Sequence, residues 1–111
     1  MQASKEVIMH TSSRPHEDAA VEALHKDPEY AADYLNAVLA DGDQQELMVA
    51  LRRMAKAYGG LPKLAEEAEL NAKTLYRTLS PQGNPELRSL MSLLKAMGMR
   101  LAVQPISHQH T

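Results

Sequence analysis

The chain has 111 residues, 44% of them hydrophobic, with four Tyr but no Phe and no Trp. That is enough apolar material for one packed domain, and a core of Leu, Ala, Met, Val and Tyr suits helices better than a β-sandwich; the absence of Cys excludes disulfides, thiol nucleophiles and thiolate metal sites. The net charge of −2 hides an asymmetry, because residues 1–51 carry three bases against ten acids (−7) and residues 52–111 nine bases against four acids (+5). Such halves point to two partners of opposite character, one of them a polyanion, although a solvated surface with segregated charges has the same composition.

No stretch is apolar and long enough for a signal peptide or a bilayer span, so a cytoplasmic protein without a membrane partner is expected. Residues 1 to about 16 are polar and aperiodic and read as loop or disorder. Glu17 to Lys26 have the narrow apolar face of a short helix, so residues 1–26 form a weakly ordered or short-helix segment. Asp27 and Pro28 are a cap and a first-turn proline for a helix that turns Ala31, Tyr34, Leu35, Val38 and Leu39 to one side and ends at Gly42. Asp43, with Glu46 three residues on, opens a second helix with a stripe of Leu47, Met48, Leu51, Met54, Ala55 and Tyr58, stopped by Gly59-Gly60. Pro62 to Ala68 and Asn71 to about Leu79 are two short helices separated by a tight turn. After the loop Ser80-Pro81-Gln82-Gly83, Asn84 and Pro85 are expected to start a last helix whose stripe is Leu87, Leu90, Met91, Leu94 and Met97. Met99, Leu101 and Val103 alternate with Arg100, Ala102 and Gln104 at strand period. Residues 105–111 read as a disordered tail.

Function concentrates in the paired short helices. Small Ala65 lets them approach, and Leu64, Ala68, Leu70 and Leu75 plug the angle between them. The second helix then projects outward, as a helix that enters a DNA major groove must. With Leu75 and Leu79 inward, Ala72, Lys73, Tyr76 and Arg77 are left toward the outside. Arg77 suits a bidentate contact to guanine, and Lys73 reaches guanine or a phosphate. Thr74, Tyr76 and Asn71 suit phosphates, Asn71 competing with its own role as a cap. Two adjacent helices of an ordinary bundle would share much of this pattern.

Three stretches are more distinctive: Asp33-Tyr34-Leu35-Asn36-Ala37-Val38-Leu39, Asp41-Gly42-Asp43, and Leu75-Tyr76-Arg77-Thr78-Leu79-Ser80-Pro81-Gln82-Gly83-Asn84-Pro85. Together with Leu93 to Val103 they closely resemble the probable addiction-module antidote family, over roughly residues 27–104. The resemblance implies a Cro/C1-type (Xre-like) helix-turn-helix, an antitoxin role, and a small RelE-like toxin encoded by a neighbouring gene. The expected architecture is all-α: a five-helix Cro/C1 repressor-like domain over residues 27–104 with a short C-terminal β-strand. The DNA-contacting set is Lys63, Asn71, Ala72, Lys73, Thr74, Tyr76 and Arg77. Glu69 departs from the pattern, since it occupies a turn position where such proteins usually place Gly. Leu61 stands where many have a phosphate-contacting Gln, a contact that Lys63 would supply instead.

The expected function is a sequence-specific regulator that binds double-stranded DNA as a homodimer, represses its own promoter and neutralises a toxin. A protein-interaction module that has lost DNA binding is the alternative. The five histidines (His10, His16, His25, His108, His110) lack metal-site spacing, and neither a nucleophile–base pair nor a phosphate loop is visible. No metal, cofactor or catalysis is expected.

Overall fold

The computed structural model describes residues 16–106, and among these it contains six helices and no strand. They are α1 (16–26), α2 (Pro28–Asp41), α3 (Gln44–Ala57), α4 (Leu61–Ala68), α5 (Ala72–Thr78) and α6 (Leu87–Ala96). The aperiodic N-terminal stretch and most of the expected tail lie outside the described residues.

Local chemistry sets the boundaries of α2 and α3. The Asp27 carboxylate accepts from the N–H groups of Glu29 and Tyr30, each at 3.1 Å. Asp43 does the same for Gln45 and Glu46 at 2.9 and 3.2 Å. Each carboxylate thereby satisfies donors that the first turn leaves without intrahelical partners. Gly42 ends α2 in the left-handed conformation, with its N–H on the Val38 carbonyl at 3.2 Å.

Packing makes α4 the hub, because it contacts α3, α5 and α6, while α2 packs on α3. The core includes Leu35, Met48, Leu51, Met54, Leu64, Leu75, Leu79, Leu93 and Leu94, and among the described residues no charged or polar one is buried. The first helix belongs to this assembly. Leu24 is buried in the same core and Val21 packs against it. Arg53 of α3 donates through Nε to both Glu17 carboxylate oxygens, at 3.0 and 3.2 Å, and through Nη1 to the Tyr34 hydroxyl at 3.3 Å. The Tyr34 bond first, with Glu17 adding to it, raises the Arg53 pKa above its ordinary value against the opposing effect of burial. His25 Nδ1 lies 2.8 Å from the Ala57 carbonyl, which acts as acceptor when the proton sits on that nitrogen.

Three expectations are corrected at the C-terminal end. The last helix begins at Leu87 after Glu86, and no side chain caps it. Asn84 and Pro85 stay in the preceding loop. That loop is tied down by the Gly83 N–H on the Ser80 carbonyl (2.7 Å) and by Gln44 Nε2 on the Gly83 carbonyl (2.8 Å). The inward stripe of α6 is also rotated. Leu93, Leu94 and Met97 are buried and Leu90 is half-buried, whereas Leu87 and Met91 are 64% and 51% exposed. The apolar arc of α6 runs from Leu93 through Leu90 and Leu94 to Leu87 and Met91, and packing on α4 buries its Leu93–Leu94 edge and leaves its Leu87–Met91 edge outside. Finally, Met99 to Gln104 form no strand. The Met99 N–H closes the end of α6 on the Leu94 carbonyl at 2.8 Å. Among the described residues no neighbouring strand lies alongside, and a lone strand has no partner for its N–H and C=O groups.

Candidate nucleic-acid interface

The site is built on α4, the turn Glu69-Leu70-Asn71, and α5. Leu61, Leu64 and Ala65 anchor α4 in the core, and Leu75 and Leu79 anchor α5 and its end. The turn closes through the Leu70 N–H on the Ala65 carbonyl (2.8 Å) and the Glu69 N–H on the Glu66 carbonyl (3.2 Å). This geometry requires a left-handed residue at the helix end, and Glu69 takes it with φ 59° and ψ 42°. Glu69 is the one non-glycine with positive φ among the described residues.

The anchoring leaves Lys73, Thr74, Tyr76 and Arg77 exposed on α5, with Tyr76 53% exposed and Ala72 half-buried. Asn71 is exposed, but its Oδ1 accepts from the Thr74 N–H at 2.9 Å, so capping occupies one side-chain oxygen. Lys63 is exposed on α4, and its Cδ occupies the place that a side chain at Gly59 would need. Four of the seven expected residues thus form the outer surface of one short helix. Asn71 and Ala72 lie at its start, and Lys63 approaches from a different element.

Several contributors were not legible in the sequence. Ser80 Oγ donates to the Arg77 carbonyl at 2.7 Å, and Gln44 pins the following loop from α3. A shallow groove of about 340 Å³ runs beside α5, with Asn71, Thr74, Thr78, Asn84 and Ser89 among its polar lining residues. Asn84 joins this groove because it is freed from the capping role expected of it. Glu66, Glu67 and Glu69 are exposed near the turn and Glu86 lines the groove, so the exposed bases Lys73 and Arg77 of α5 have carboxylates nearby in sequence at the end of α4 and in the groove. Among the described residues, no group of His, Asp and Glu is arranged to hold a metal ion.

These features define a small helical protein that presents a short, anchored, basic helix beside a polar groove. The sequence profile of probable addiction module antidote proteins matches residues 17–105. An uncharacterized protein of Haemophilus influenzae is 31% identical over 71 residues, covering 64% of this chain and 72% of that relative. No solved structure matches. The chain belongs to the probable addiction module antidote protein family. No helix among the described residues is long and apolar enough to cross a membrane.

Proposed function

We propose that this chain is the antitoxin of a type II toxin–antitoxin module, acting in the cytoplasm without catalysis, and that it represses its own promoter by binding duplex DNA through α5. In this reading α4, the Glu69–Asn71 turn and α5 constitute a Cro/C1-type helix-turn-helix. The observation that carries it is the outward surface of α5. Lys73, Tyr76 and Arg77 are exposed on a helix that Leu75 and Leu79 hold rigidly from behind. Arg77 offers a planar fork for guanine O6 and N7, and Lys73 and Lys63 offer point charges for phosphates. Two copies would read two half-sites about one helical turn, or a multiple of it, apart.

The toxin partner follows from the family and from the other half of the charge. Asp18, Glu22, Glu29 and Asp33 are exposed on α1 and α2 and suit a basic partner. A DNA titration with the gene's own upstream region tests the first part. Arg77→Ala should weaken the cognate site by about 1–3 kcal/mol and relax preference at one base pair, whereas Lys63→Ala should weaken all duplexes alike and lower the salt dependence. If no duplex binds in a salt-dependent way, the DNA-binding reading fails. The protein-interaction reading, for which the acidic first half and Glu69 leave room, would then replace it.

A further inference from the structure

One outer edge of α6 carries two exposed apolar side chains, Leu87 and Met91, beside Arg88 and Lys95. A groove of about 650 Å³ runs between this helix and the segment after it, with Leu87, Met91, Met99 and Leu101 supplying its apolar surface. Its charged lining is entirely basic: Arg88, Lys95 and Arg100. A few residues on, the same chain runs past α2, lining with it a second groove of about 850 Å³, and then ends among the described residues in an exposed apolar arm. Val103 is 99% and Ile106 77% exposed. From Arg100 to Ile106 no backbone group is hydrogen-bonded to another backbone group among the described residues. Among the described residues, an open apolar groove and the exposed Val103 and Ile106 therefore occur side by side on one molecule, and the arm does not fill the groove.

We infer that the occupant of this groove is the arm of a second copy, with the two arms exchanged about a two-fold axis near Ala102. Antiparallel pairing of residues 100–104 with themselves would satisfy the free N–H and C=O groups. It would also bring each Val103 beside Leu101 of the other copy and direct each Ile106 toward the other copy's α6. The strand period that the single chain leaves unused is then used between chains. Charge favours this arrangement over α6 packed directly on α6. Direct packing would oppose Arg88 and Lys95 to their own copies, whereas the arm Ala102 to Ile106 carries no charge. Reciprocal exchange is closed, so it yields a dimer and not a filament. The inference rests on the DNA-binding reading only for its use, since a two-fold protein matches a two-fold operator.

The absence of cysteine makes a direct test available. Ala102→Cys should give a disulfide-linked dimer on mild oxidation. A mixture of Met91→Cys chains with Ile106→Cys chains should give a mixed disulfide well above the self-linked products. The double substitution Val103→Asp and Ile106→Asp, on exposed positions outside the core, should raise the dimer dissociation constant by at least about tenfold in light scattering while the helical circular dichroism is unchanged. A full-length protein that is monomeric, or a double variant that remains dimeric without cross-copy disulfides, overturns the inference. Operator binding is measured on the same samples. A dimer that binds no duplex leaves the arm exchange standing and removes the DNA-binding reading, and a monomer that binds its operator does the reverse.

Discussion

Glu69 and Gly83 show how two single positions carry opposite backbone demands. Glu69 is exposed and lies at a helix end that needs positive φ, where a side chain crowds the following carbonyl. Gly83 has no unusual φ, yet a methyl group there would fall on the Thr78 carbonyl, which is backbone and cannot swing aside. Glu69→Gly should therefore stabilise the fold by about 1 kcal/mol and raise the melting temperature by roughly 4–8 °C. Gly83→Ala should destabilise it by about 1–3 kcal/mol, the usual cost of overpacking. Thermal and urea unfolding of the two variants check this pair. Equal, small effects would show that the turn and the loop are more plastic than their hydrogen bonds suggest.

At the scale of the element, α1 is the helix whose place the sequence left most open. Its apolar face is narrow, and alone it has little reason to fold. The tertiary structure supplies the reason: Leu24 completes the core, and Arg53 bridges Glu17 and Tyr34. These two attachments differ in weight. The Glu17–Arg53 pair is about one-third exposed on each side, so it contributes about 0.2–1 kcal/mol. Truncating Leu24 to Ala removes a buried side chain and leaves a cavity, a loss of about 2–5 kcal/mol. Chemical denaturation should rank Leu24→Ala far below Glu17→Gln in stability. The reverse order would mean that α1 is held by charge and only rests on the core. Because Leu24 belongs to the core, deleting residues 1–26 opens the core as well as removing acids, so the acidic surface is better tested by substitution.

At the scale of the whole molecule, the charges segregate by element and not into two separate surfaces, since Asp33 of α2 and Arg100 line one groove. Exposed acids populate α1 and α2, and exposed bases populate α5, α6 and the segment after it. Neutralising Asp18, Glu22, Glu29 and Asp33 to their amides keeps Leu24 in place and alters only the acidic surface. If the proposed antitoxin role holds, capture of a toxin from a neighbouring gene should fall by about tenfold or more and become less salt-sensitive, with any operator affinity undiminished. Unchanged capture would move the toxin contact off this surface. The residues that a sequence can specify are those whose role is local: Asp27 and Asp43 as caps, Gly42 as a left-handed stop, Leu75 and Leu79 as the inward side of α5. These alone determined a helical protein with an exposed Lys73, Tyr76 and Arg77, because period and capping act over a few neighbouring residues. What only the tertiary structure decided depends on contacts between distant ones. Which edge of the apolar arc of α6 turns inward was settled by packing on α4, which buries Leu93 and Leu94 and leaves Leu87 and Met91 outside. Asn84 and Pro85 stay outside α6, in a loop that Gln44 joins at Gly83 across 39 positions of sequence. The segment 99–104 has the period of a strand but stays unpaired, because a strand exists only when a second one supplies the other half of its hydrogen bonds.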